Sequence, residues 1–220
     1  MRARWRLKIW RSKNAAPPDE RLPGGARASG WANGANWCTG FYAMDAAPAG
    51  NFQNFIAAVT SPSLRAIAHH WDQARGDRAM PAWADLSSSV LTPHFKMLWG
   101  FHRDSQTGEF TGRLAGRNIV DWLGANFWGA SLKDIHPPHI FPESHSFLTR
   151  IVTAPAAGRS SGRLFSVGSR IVSGERIALP LGLDGITADG ILGASDYDCP
   201  PLSGPVDLIH ENIEWFAITA

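Results

Sequence analysis

Cysteine is nearly missing: the 220 residues hold two, Cys38 and Cys199. They form neither a disulfide framework nor a C-x-x-C zinc pair, so a reducing, cytoplasmic setting is expected. Long apolar runs are also missing, and nothing approaches the roughly 18 consecutive apolar residues of a membrane-spanning helix. There is no G-x-x-x-x-G-K loop and no G-x-G-x-x-G after a strand, so ATP and dinucleotide chemistry lack their phosphate cradle. Nor is there a large excess of one charge, with 21 Lys and Arg against 19 Asp and Glu. That balance hides an asymmetry. Residues 1–30 carry eight Lys/Arg against Asp19 and Glu20, whereas residues 31–220 carry thirteen against seventeen acidic groups. The body is mildly acidic, and no nucleic acid partner is expected through it. What the chain does have is apolar substance: 44% hydrophobic residues in 23.9 kDa, enough for one good-sized core.

Three segments follow from composition. Residues 1–60 read as a basic arm and an Ala/Gly/Pro-rich extension without its own core, hence disordered or loosely wrapped. In residues 1–13, Arg2, Arg4, Arg6 and Lys8 alternate with Ala3, Trp5, Leu7 and Ile9. No apolar stretch of a secretory signal follows. The segment is read either as a solvated arm or as a contact to an anionic membrane surface or to nucleic acid. In residues 14–50, twenty of thirty-seven positions are Ala, Gly or Pro, too few periodic apolar groups to offset the ordering entropy. Residues 61–202 are the folded body and residues 203–220 a tail.

The body opens with a helix. Ser61 and Pro62 supply an N-cap and a first-turn proline, Leu64, Ile67, Ala68 and Trp71 make one apolar stripe, and Gly76 stops it. Phe95, Met97, Trp99 and Phe101 then alternate with Lys96, Leu98, Gly100 and His102, predicting a strand with one buried face. A turn at Ser105–Gly108 leads into a second strand with Phe110 and Leu114 on one side and Arg113 on the other, a β-hairpin. Short helices follow, around Ile119, Trp122 and Leu123 and around Leu132 and Ile135. Ile140, Ser144, Phe147, Leu148 and Ile151 mark the best amphipathic helix. Three strand-like runs close the body, over 162–172, 175–183 and 188–196. Pro180, inside the second, should face a sheet edge or bulge.

Two groups of residues carry a resemblance. Asn118-Ile119-Val120-Asp121-Trp122-Leu123-Gly124, followed by Trp128-Gly129-Ala130-Ser131-Leu132-Lys133-Asp134-Ile135-His136-Pro137, is similar to the short-helix stretch of PAS domains. Upstream, Trp71, Arg75, Gly76, Arg78 and Pro81 match the "W-x-x-x-R-G-x-R-x-x-P" of a bacterial PAS-like family, and Arg113-Leu114-Ala115-Gly116 matches its "R-L-x-G". The resemblance spans about residues 61–202. It implies an α+β fold: a five-stranded antiparallel sheet with short helices on one face, plus a leading helix. It also implies a sensory or regulatory module with no output domain on the chain. Its partner would be a small-molecule ligand or a signalling protein, with a homodimer as a further option. The short-helix region has no cysteine, which disfavours the flavin photochemistry of light-sensing relatives.

In such a fold a ligand sits between the sheet and the short helices. Trp99, Phe101, Trp122, Trp128 and Phe147 are the expected lining, with Phe110 and Phe127 beside them. Arg113 is either a surface or salt-bridged residue or, in the other register, the partner of an acidic ligand. The alternative is an interaction module whose rings fill the space, with no ligand. His136, His139 and His145 lack the i, i+4 spacing and the carboxylate or cysteine of a zinc set. Haem, which needs one axial histidine, stays open, and no cofactor is assigned. Gly158-Arg159-Ser160-Ser161-Gly162 spells G-x-S-x-G, but a helix precedes it and a strand follows. That reverses the hydrolase context, so a loop is expected. Ser160 as a hydrolase nucleophile is the weakest reading, and the chain is read as no enzyme. In the tail, Val206, Ile209, Ile213 and Phe216 sit at near-helical spacing, either a dimerising helix or a segment closing its own core.

Overall fold

The computed structural model describes residues 46–123, 127–200 and 202–218. The basic arm at residues 1–13 and most of the Ala/Gly/Pro-rich stretch lie outside them. Just after that stretch comes a helix, α1 (Phe52–Ala58), capped reciprocally by Asn51 and Asn54. The leading helix follows as α2 (Pro62–Arg75), with Ser61 accepting from the Leu64 N–H and Gly76 at φ +56° ending it. After a 3₁₀ turn at Trp83–Asp85 come α3 (Ser88–Leu91), a second 3₁₀ segment (Thr92–Met97) and β1 (Leu98–Arg103). The hairpin partner is β2 (Phe110–Ala115). The short helices are α4 (Arg117–Leu123), α5 (Leu132–Ile135) and α6 (Phe141–Thr153). The remaining strands are β3 (Ala156–Val167), β4 (Arg170–Leu181), β5 (Gly190–Tyr197), β6 (Val206–Leu208) and β7 (Asn212–Ala217).

These strands make one antiparallel sheet in the order β2-β1-β5-β4-β3-β6, with β7 also paired to β3. It is the expected five-stranded antiparallel sheet, lengthened by two strands from the tail. Four expectations are corrected. The first strand begins at Leu98, because Pro93 sits in a 3₁₀ turn that carries Phe95 and Met97. The run over 162–172 is the end of β3, a two-residue turn at Gly168-Ser169, and the start of β4. Gly158–Gly162 is therefore mid-strand rather than a loop. The tail is no helix either: Trp215 and Phe216 are both buried because β7 is covered on both faces, and that mimics helical spacing.

Successive strand residues point to opposite faces, which settles the layering. Trp215 rests on Phe147 of α6 (ring centroids 5.2 Å apart), whereas Phe216 meets Phe55 of α1 at 5.5 Å. The short helices cover one face and the leading helices the other. The leading-helix motif is the clasp on that second face. Trp71, fully buried, donates Nε1–H to the Pro180 carbonyl at 2.9 Å. β3 pairs with β4 only as far as Ala178, leaving Pro180 beyond its end, as a strand proline requires. Arg75 donates to the Ile218 carbonyl at 2.6 Å, and Arg78 pairs with Asp85 at 2.8 Å. Pro81 accepts from the Gly182 N–H at 3.0 Å.

A polar knot locks the start of α2 to the same face. Glu175 accepts from the backbone N–H groups of Thr60 and Ser61 and from Arg159 Nε at 2.7 Å. Arg159 also pairs with Glu214. Ser61 donates its hydroxyl to Asp196 at 2.6 Å.

Candidate functional site

Between the opposite sheet face and the short helices lies a cavity of about 610 Å³. Its floor is built by alternate strand residues: Trp99 and Phe101 of β1, Phe165 of β3, Arg176 of β4 and Tyr197 of β5. The walls are Ile119 and Trp122 of α4, Phe127 ahead of α5, Ile135 at its end and His136 just after it, and Ser144, Phe147 and Leu148 of α6. The segment from Gly204 to Val206, with Leu208 and His210, forms the rim.

Local sequence explains why the floor stays open. The Trp99 ring lies flat over Gly193, where a Cβ would come within 2.1 Å of it. Its Nε1–H donates to Ser195 Oγ at 3.0 Å, which fixes the ring. Phe101 packs on Trp99 (6.0 Å) and on Phe127 (4.9 Å). At the tail end, Trp122, Phe165 and Tyr197 meet edge-to-face, with centroids 5.1 to 5.4 Å apart. The rim is latched by His139, whose Nε2 lies 3.0 Å from the Val206 carbonyl and 3.1 Å from Asp207.

The electrostatics are unusual for so apolar a space. Arg176 donates Nε–H to Ser195 Oγ at 3.3 Å and Nη2–H to the Tyr197 hydroxyl at 3.1 Å. Both partners are neutral, and among the described residues Arg176 makes no ion pair. Burial, and secondarily the Arg176 charge, lower His136 to about 4 and His210 to about 3, so both imidazoles are neutral at pH 7. His210 is buried with Nδ1 unpartnered, its Nε2 3.8 Å from Glu143. Its φ of +46° is the one positive value on a non-glycine among the described residues, a strained backbone of the kind that gathers at functional sites. The other charged wall groups are engaged: Lys133 with Glu109 at 3.2 Å, Asp134 with the Ser131 hydroxyl at 2.7 Å.

Of the six residues expected to contact a ligand, Trp99, Phe101, Trp122 and Phe147 line this cavity. Arg113 and Trp128 do not. Arg113 points to the other face, its guanidinium 5.0 Å from the Trp83 ring. Trp128 is 72% exposed in the turn after α4. Phe110 is buried beside His145, at 5.6 Å between centroids, in a smaller side cavity. Of the three histidines that sequence brought forward, His136 alone lines the main cavity. Ser160 is fully buried in β3, and its hydroxyl has no hydrogen-bond partner, hence no activating base, among the described residues. No group of three or more His, Cys, Asp or Glu poised for a metal ion occurs among the described residues. No described helix is long and apolar enough to cross a membrane. The residues that sequence reasoning missed are Arg176, Tyr197 and His210.

Comparison with known proteins agrees with this architecture. A family model described as a PAS domain matches residues 59–195, from just before α2 to the end of β5. No curated protein and no solved structure matches the chain. With well over half its length matched, and the leading helix, antiparallel sheet and intervening short helices all in place, the chain belongs to the PAS domain family.

Proposed function

We propose that this protein is a sensory or regulatory module that binds a small molecule in the cavity between its sheet and its short helices, and relays the event through the rim. The cavity carries the reading. At about 610 Å³ it falls within the range of about 300–1,000 Å³ usual for small-molecule pockets, and its aromatic rings line the space without filling it. Trp99, Phe101, Trp122 and Phe147 would hold the ligand's apolar surface. The rim is the element that would respond, because β6 has three residues and is tied to the helices through His139. A ligand that prefers one packing of this rim shifts its population and alters the surface the tail presents.

A thermal-shift screen of a metabolite panel should yield at least one stabilising compound. Hydrogen exchange at Val206–Leu208 should slow when that compound is bound. No shift with any compound, or binding with unchanged exchange in β6, would contradict the respective half of the proposal.

A second reading, docking of a protein partner, is favoured by the β4–β5 turn, where Leu183 is 79% and Ile186 76% exposed. A second copy of the chain is the partner to try first. Sedimentation should then show a dimer that L183S/I186S dissociates without lowering Tm. A wild-type protein that stays monomeric contradicts this reading.

A further inference from the structure

We infer that the cavity takes a ligand with a carboxylate head and an apolar body, the head seated on the guanidinium of Arg176. This rests on the cavity being a ligand site, as proposed above, and adds the chemical class.

Two other half-buried arginines, on the sheet and the leading helix, have counter-charges: Arg159 holds Glu175 and Glu214, and Arg75 holds Asp72. Arg176 has two neutral hydroxyls instead. They orient the guanidinium without cancelling its charge, and an uncompensated cation among aromatic rings is unfavourable until an anion joins it. Of the five N–H donors of a guanidinium, these bonds use one on Nε and one on Nη2. The two on Nη1 and the second on Nη2 have no partner among the described residues. That leaves the end of the fork, the side that receives a carboxylate through two parallel hydrogen bonds.

A second observation is independent of the first. His210 is 6% exposed, lines the same cavity, and has its Nδ1 without a partner. A buried unsatisfied polar atom of this kind is rare in folded proteins, and a ligand group is one way to satisfy it. The remaining charged groups of the walls are occupied. Lys133 bonds Glu109 and Asp134 bonds Ser131, so Arg176 is the cation left over. One unpaired cation in a mostly aromatic space matches one negative charge on an apolar body. A phosphate dianion would call for more donors than this site offers.

Isothermal titration with decanoate and naphthoate, and with their neutral twins decanamide and naphthamide, tests the inference on the full chain. At least one acid should bind wild type about tenfold or more tighter than its amide, as expected for a charge-assisted bond. Arg176→Gln should erase that preference while leaving amide binding within about threefold, which also shows that the variant is folded. Arg176→Lys, which keeps the charge, should retain part of it. Equal affinity of acid and amide in wild type, or a preference that survives Arg176→Gln, overturns the inference and leaves the ligand-cavity reading standing. If none of the four probes binds and the metabolite screen is also blank, both fall together.

Discussion

Replacing Glu175 with alanine should destabilise the protein by about 3–5 kcal/mol, the scale at which breaking a buried ion pair leaves charge uncompensated. The side chain is 6% exposed and accepts from Arg159, Thr60 and Ser61 at once. Burial alone would push its carboxyl up. The Ser61 and Thr60 N–H groups and Arg159 outweigh that and hold it below the ordinary range. Removing it strands Arg159, itself 11% exposed, with only Glu214 as a counter-charge. It also orphans two backbone donors at the start of α2, so that end of the leading helix loses its tether to β4. Glu175→Gln should cost less, because an amide oxygen still accepts from the backbone but cannot neutralise Arg159. Urea unfolding of both variants checks this. An alanine variant within about 1 kcal/mol of wild type, the value of an exposed ion pair, would contradict the account of how the leading helix is held.

Acid should weaken the protein well before its carboxylates titrate. Folded His136 and His210 sit at about 4 and about 3, against 6.5 for a free imidazole. As pH falls below about 6.5, the unfolded chain takes up protons that the folded chain refuses. Stability is therefore complete above that value and declines by roughly 1.4 kcal/mol per pH unit for each histidine, until the folded group also titrates. By about pH 5 the two together should cost on the order of 4 kcal/mol. Arg176 faces both rings and adds to burial in keeping them neutral. Glu143, beside His210, runs the other way: burial raises its carboxyl, so its contribution is lost as pH rises from 4.5 towards the raised value. Glu175, held low, adds to the acid loss only below 4.5. Unfolding free energies from urea titrations at about pH 7.5 and about pH 5 should differ by this amount, and His210→Phe should flatten the dependence. Equal free energies would mean that the two histidines are solvated in the folded protein.

Much of this architecture was legible in the residues. Ser61-Pro62 and Gly76 bounded the leading helix correctly because capping chemistry is local. The stripe from Ile140 to Ile151 found α6 because one of its faces is buried and the other is not. The misses share a physical origin in a sheet that is covered on both faces. In β4, Ile177, Leu179 and Leu181 look like the core face. They do face a core, but the one made with the leading helices. Arg176 has the other parity and lines the cavity, and its charge gives no apolar signal. An arginine between apolar residues of both parities was the available sign, since a strand buried on both sides has no solvated face for a charge. Arg113 misled for the complementary reason: it sits on an edge strand and leans on Trp83 from the outside. Trp128 followed a motif, yet the turn after α4 carries its ring outward. His210 and Tyr197 belong to the cavity through tertiary contacts with α4 and α6, and no spacing in sequence encodes those.

The central claim is that the space over Trp99 and Phe101 exists to hold a molecule. A native mass spectrum of protein purified without added ligand addresses it most directly. The account predicts a population heavier than the chain by the mass of a small organic acid, reduced to the bare mass when Ile119→Trp fills the wall of the cavity. A wild-type spectrum with the bare mass alone, together with unchanged stability of the Ile119→Trp variant, would mean that the rings enclose nothing.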